Sequence, residues 1–204
     1  MIIFASNNKK KIEEVKAIFG TEVLTPSELG IELEILEDGT TFEENALKKA
    51  RRMRDLTGKT CIADDSGICV DALGGAPGVY TAMYYALDNA LNPKMEDVLK
   101  AKSASGNPDI DRVNNEKLIN VLDGQKNRKA HYVCVIAIAR GNGTDETVRA
   151  EWQGEIATDI GGVNGFGYDK VFIHNGKRVS DMTAKEKNMI SHRRKALELA
   201  RQVL

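Results

Sequence analysis

Apolar residues open the chain in a short run, Ile2-Ile3-Phe4-Ala5, which predicts a buried strand. Ser6-Asn7-Asn8 follows at once and offers side-chain oxygens that can cap a helix. From Lys9 to Phe19 the apolar positions Ile12, Val15, Ile18 and Phe19 recur at helical spacing, and Gly20 supplies the stop. The stretch from Glu32 to Glu44 holds six carboxylates (Glu32, Glu34, Glu37, Asp38, Glu43, Glu44) and no basic residue, so part of it must be loop. Thr41-Phe42-Glu43-Glu44 has the capping-box form, and Phe42, Ala46, Ala50 and Met53 then keep the helical period until Gly58.

Thr60 to Ala63 reads as a buried strand that stops at Asp64-Asp65-Ser66-Gly67, and Gly74-Gly75-Ala76-Pro77-Gly78 as a turn. Asp111 to Leu122 is a helix candidate closed by Gly124. Ala130 to Arg140 and Thr147 to Trp152 predict two strands around a Gly141-Asn142-Gly143 turn. A glycine-rich loop from Gly161 to Gly167, a short strand Val171-Phe172-Ile173 and a helix from about Ala184, capped by Thr183-Ala184-Lys185-Glu186, complete the chain. Strands mixed with helices imply an α/β architecture in a single domain, residues 1–204, with no repeat or linker.

The chain has 204 residues, 42% of them apolar, with 29 Lys+Arg against 30 Asp+Glu. A charge balance of -1 argues against a nucleic-acid coat protein or a polybasic membrane binder, both of which need excess positive charge. Cys61, Cys69 and Cys134 form neither an even secreted framework nor a zinc knuckle, and they read as buried, reduced thiols. The longest apolar run, Tyr132 to Ala139, falls far below the ~20 residues of a membrane span, and the start lacks the charge of a signal peptide. A cytoplasmic protein is expected.

Three segments end a strand in polar residues, where an α/β protein places its site. In Ser6-Asn7-Asn8-Lys9-Lys10-Lys11, helix-start amides and lysines suit a phosphate chain, although a solvated helix start has the same composition; the Walker pattern is absent. Asp64-Asp65-Ser66-Gly67, with the preceding acidic stretch, offers carboxylates suited to Mg²⁺, and equally to a plain turn. Phe166-Gly167-Tyr168-Asp169 and Ser191-His192-Arg193 combine aromatic faces with hydrogen-bonding edges, the parts that grip a purine, though aromatics at alternate positions also build cores. From Lys177 to Lys195 there are seven Lys/Arg against two Asp/Glu, a basic concentration in a neutral chain.

These segments, together with Thr41 to Ala46, Ala72 to Tyr80 and Glu186-Lys187-Asn188, resemble in one collinear order the inosine triphosphate pyrophosphatase family, the Ham1 or RdgB-type XTP/dITP diphosphatases. The resemblance runs from residue 2 to about 199. It implies a dimeric α/β protein with a long mixed sheet, flanking helices and two lobes around a central nucleotide cleft. It also implies hydrolysis of ITP, dITP and XTP to the monophosphate and pyrophosphate with Mg²⁺, Mn²⁺ being a possible substitute. Carried over by motif, Ser6, Asn7, Asn8, Lys9, Lys10 and Lys11 hold the triphosphate. Glu37 and Asp65 bind metal, Asp65 is also the general base, and Ser66 contacts substrate. The base pocket maps onto Phe166, Gly167, Tyr168, Asp169, Lys187, His192 and Arg193, with Arg193 aimed at the purine 6-oxygen.

Met83, Asn164, Lys170 and a long segment from Tyr85 to Asp111 depart from the family pattern. An inactive nucleotide sensor and a pyrophosphatase for other modified nucleotides remain as alternatives. A stable nucleic-acid binder fits less well, its one supporting feature being the basic C-terminal helix.

Overall fold

The computed structural model describes residues 2–20, 23–33, 35–91, 93–103 and 109–204. Glu34 of the acidic stretch, Met1 and residues 104–108 of the 85–111 segment lie outside them. The strands are β1 (Ile2–Phe4), β2 (Val23–Leu24), β3 (Cys61–Val70), β4 (Lys129–Ala139), β5 (Asp145–Ile156), β6 (Phe172–His174) and β7 (Lys177–Arg178). The helices are α1 (Lys9–Phe19), α2 (Phe42–Thr57), α3 (Met95–Ser103), α4 (Ile110–Val121), α5 (Ala184–Ile190) and α6 (His192–Val203). One seven-stranded sheet has the order β2-β1-β3-β4-β5-β6-β7. Its β1 edge is parallel, with Ile3 opposite both Leu24 and Cys61, and its β6 edge antiparallel, with Phe172 opposite Ile156. The sheet is therefore mixed, as expected.

Local chemistry explains where the helices start and stop. Asn8 Oδ1 accepts from the amides of Lys10 and Lys11 at 3.1 and 3.2 Å, and α1 begins there. At α2, Thr41 Oγ1 accepts from Glu44 N at 3.1 Å while Glu44 Oε2 accepts from Thr41 N at 3.3 Å, closing the predicted capping box. Gly58 ends α2 with φ of 65°, a left-handed conformation that glycine adopts without a Cβ clash. None of the helices among the described residues is long and apolar enough to cross a membrane.

Two expectations change. Strand β3 does not stop at Asp64 but continues through Asp65-Ser66-Gly67 to Val70. Its carboxylates meet lysine and arginine side chains, so polar residues can occupy a buried strand interior without remaining uncompensated. The C-terminal helix is two helices: Ser191 is extended at φ −67° and ψ 156°, and its side chain accepts from Arg194 N to start α6 afresh.

By contact density the chain forms two compact units, Met1–Ser66 with Cys134–Glu151 and Ser191–Leu204, and Gly67–Val133 with Trp152–Ile190. The first has a core of Phe4, Val15, Val23, Ile62, Cys134, Ile136, Ile138, Leu197 and their neighbours. The second centres on Tyr132, Trp152 and Phe172, with Tyr132 edge-on to Phe172 at 4.6 Å between ring centroids. All three cysteines are buried free thiols, and burial pushes the Cys134 thiol up to about 12. Met83 and helix α3, through Val98, contribute to the second core, where an arginine at 83 would need a buried partner.

Candidate functional site

In the first unit, β3 and α2 bring acid and base together. Lys49, on the buried face of α2, lies 3.2 Å from Glu37 Oε1 and 3.2 Å from Asp65 Oδ1. Asn45, one turn earlier, donates to Asp65 Oδ2 at 3.4 Å and accepts from Gly39 N at 2.9 Å through Oδ1, tying the loop that carries Glu37 to the strand that carries Asp65. A Cβ at residue 39 would stand 2.7 Å from Asn45 Oδ1, so the close approach requires glycine there. Burial pushes the Asp65 carboxyl up against the opposing pull of Lys49. For Lys49, burial acts downward, but Asp65 and Glu37 outweigh it and hold the ammonium charged.

The neighbouring aspartate behaves oppositely. Asp64 accepts from Lys11 at 2.8 Å and from Arg193 Nε at 3.3 Å, and those charges, with Lys49, overcome burial and hold its carboxyl well below the usual carboxylate range. Arg193 also pairs with Glu14 of α1 and donates to Ser66 Oγ at 3.0 Å. Two adjacent carboxylates thus have pKa values pushed apart by environment, the pattern of an ionised anchor beside a proton acceptor.

At the start of α1, Lys9 and Lys10 are exposed, and Ser6 Oγ accepts from Asn8 N at 3.2 Å. The amides of Lys10 and Lys11, which the sequence offers to a phosphate, are satisfied by Asn8. A phosphate would compete with that cap, and the lysine charge is the larger attraction on offer. Asn7 Nδ2 reaches Leu33 O at 3.5 Å.

The second unit holds Phe166 to Asp169 and Lys187. Asp169 is buried, and its Oδ2 accepts from Lys187 Nζ at 2.6 Å and Phe166 N at 2.9 Å, while Oδ1 accepts from Tyr132 at 3.3 Å. Lys187 Nζ lies 4.3 Å from the Phe166 ring centroid. A Cβ at residue 165, where φ is +80°, would come within 2.2 Å of Asp169 Oδ2, so Gly165 is required by both backbone and space. Asn164 donates to Met182 O at 3.2 Å, and Lys170 projects into solvent.

Tyr168, Arg193 and His192, expected in the base pocket, are each held within the protein. The Tyr168 ring lies in the second core and its hydroxyl donates to Thr81 O at 2.8 Å. The Arg193 guanidinium is engaged by Glu14, Asp64 and Ser66 in the first unit. His192 belongs to that unit too, buried in the first turn of α6. Sequence reasoning also missed Lys49, Asn45 and Glu14. Lys49 had a signal: it falls on the stripe formed by Phe42, Ala46 and Met53, and a cation on a buried helix face demands buried acids.

A sequence model of the Ham1 family matches residues 2–203. The dITP/XTP pyrophosphatase of Nitrosomonas europaea is 41% identical over 210 residues, covering 100% of this chain and 93% of the relative. That of Desulforamulus reducens is 38% identical, covering 100% and 94%. Among solved structures, the Staphylococcus aureus Ham1 protein superposes with a TM-score of 0.81 at 36% identity, covering 99% of this chain and 96% of that one. The Coxiella burnetii HAM1 protein gives 0.80 at 32% identity, covering 99% and 96%.

Proposed function

The chain belongs to the Ham1 family, and from that premise we propose that it is a magnesium-dependent pyrophosphatase of non-standard purine nucleoside triphosphates, dITP, ITP and XTP. It is an enzyme that hydrolyses acid anhydrides, releasing the monophosphate and pyrophosphate. The observation that carries the mechanism is the pair of acids, Glu37 and Asp65, drawn onto one buried cation, Lys49.

Among the described residues no group of three or more acidic, histidine or cysteine side chains is placed to hold a metal ion, and the two carboxylates Glu37 and Asp65 suit Mg²⁺, which takes water and phosphate oxygens at its remaining positions. Lys11, Lys49 and Arg193 face Glu14, Glu37, Asp64 and Asp65, so the cluster lacks the positive charge that a triphosphate needs. Glu37 and Asp65 would hold Mg²⁺, or Mn²⁺ in its place, and the ion supplies charge neutralisation on the phosphates. The exposed Lys9 and Lys10, with Lys11, would draw in the phosphate chain. Asp65 would then accept a proton from the attacking water. The water oxygen bonds to the α-phosphorus as the bond to the α,β-bridging oxygen breaks, and pyrophosphate leaves with the electron pair. Asp64 keeps Lys11 and Arg193 in place throughout.

Phosphate and metal handling would fall to Lys9, Lys10, Lys11, Glu37 and Asp65, and base reading to Lys187 and the loop that carries Phe166 and Gly167. Asp169 is the internal anchor of that loop rather than a free edge. The activity acts on the dissolved nucleotide pool, which supports a cytoplasmic location, and the family resemblance supports a homodimer that sedimentation would detect. Pyrophosphate release from dITP, XTP and dATP, with and without Mg²⁺, tests the reading. Fast release from the first two only is expected; equal rates on all three, or orthophosphate as first product, would refute it.

A further inference from the structure

We propose that Asp111 and Asn115 of α4 are positioning residues for base selectivity, because together they clamp both ends of Gly167; the proposal rests on reading 165–169 as the base-reading loop. Gly167 N donates to Asp111 Oδ2 at 2.7 Å, and Gly167 O accepts from Asn115 Nδ2 at 3.1 Å. The two side chains are four residues apart and therefore project from one face of one helix. A single rigid element thus holds the amide and the carbonyl of a single loop residue.

The position matters because Gly167 sits at φ +61°, one residue after Phe166 and two before Asp169. Any drift of its backbone moves the Phe166 ring and the Asp169–Lys187 pair together. The clamp has its own footing: Leu118 and Leu122 anchor α4 in the second core, while Asn114 donates to Ala82 O at 3.2 Å and accepts from Tyr85 N at 2.7 Å.

Asn115 is wholly buried, and its Oδ1 has no hydrogen-bond partner among the described residues. A leucine would fill a similar volume without an orphaned oxygen. The amide is therefore favoured at this position for the bond it makes to Gly167. Exchanging Oδ1 and Nδ2 would set two carbonyl oxygens against each other, which fixes the assignment.

Selectivity follows from rigidity. A fixed loop leaves a mismatched purine edge unpaired, whereas a loop free to shift accommodates either edge, and a displacement of about 1 Å can cost about 10²-fold in rate. The test compares Asp111→Ala, Asp111→Asn and Asn115→Leu with the wild type. It measures kcat/KM on dITP and dATP, inhibition by inorganic tripolyphosphate, and hydrogen exchange of the 165–169 amides in the ligand-free enzyme. D111A and N115L are expected to narrow the dITP:dATP ratio about tenfold or more, raise KM for dITP and speed exchange at Gly167, with tripolyphosphate inhibition unchanged. D111N keeps an acceptor and should restore the ratio to within about twofold.

An unchanged ratio in folded D111A overturns the proposal, as does a loss matched by equal weakening of tripolyphosphate. Should N115L fail to fold, the D111A and D111N pair decides. A wild type with no preference for dITP refutes the proposed function and the selectivity role with it. Unchanged exchange in D111A, by contrast, refutes the clamp alone.

Discussion

In the proposed mechanism, Lys49 and Asp65 divide the chemistry at the scale of single residues. Asp65 is the buried carboxyl whose environment raises its proton affinity, while Lys49 draws it and Glu37 onto one charge. Asp65→Asn keeps the shape and removes the base, so turnover on dITP should vanish while nucleotide binding, followed by calorimetry, persists. Retained turnover would exclude the base role. Lys49→Met removes the shared cation and leaves two acids facing each other. The expected loss is about 10²-fold in kcat, read by steady-state kinetics beside an unfolding curve that confirms the fold. Asp65, the proposed base, was singled out by its motif. Lys49 was not, although its place on an apolar helix stripe was visible once a buried acid was sought for it.

Elements decide how those residues are held. Helix α2 follows the sequence closely, because its cap, its stripe and Gly58 all agree. The glycine loop before Asp169 leaves no room for a Cβ at residues 161, 162 and 165, and the last of these faces Asp169 itself. Gly165→Ala would force a Cβ to within 2.2 Å of Asp169 Oδ2 at a positive φ, and we expect KM for dITP to rise at least tenfold with faster exchange of the loop amides. Helix α5 gives a pH signature. Glu186 accepts from Thr183 N at 2.6 Å and pairs with Lys177, and these contacts, the first foremost, lower its pKa from 4.5 to about 2. A depressed acid stabilises the fold fully above its unfolded pKa and loses that contribution as pH falls toward the folded one. Glu186→Gln should therefore lower the thermal midpoint at pH 7, and its gap from wild type should close between about pH 4.5 and pH 2. A constant gap across that range would contradict the assignment. The end of β3 and the break at Ser191 escaped the sequence reading because both depend on what the residues meet: Asp64 and Asp65 sit in a strand since cations from α1, α2 and α6 reach them.

Across the whole molecule, a formal charge of -1 conceals a strongly patterned distribution. The cluster around β3 sets three cations against four acids, so removing divalent metal should leave a site that repels its substrate. Chelation is expected to abolish turnover and weaken tripolyphosphate binding, with Mg²⁺ restoring both and Mn²⁺ at least part; binding indifferent to metal would remove the ion from the mechanism. The sequence by itself determined the α/β class, the caps and spans of α1 and α2, and the identity of the polar segments, since propensity, capping and periodicity act over a few residues. Tertiary structure alone decided which charges neutralise which. Arg193 lies 129 positions from Asp64, and Asn115 lies 52 from Gly167, so no local pattern encodes either pair. Burial and pairing are properties of the folded interior. There the same residue type has its proton affinity raised at 65 and lowered at 64, according to burial and the charges packed around it.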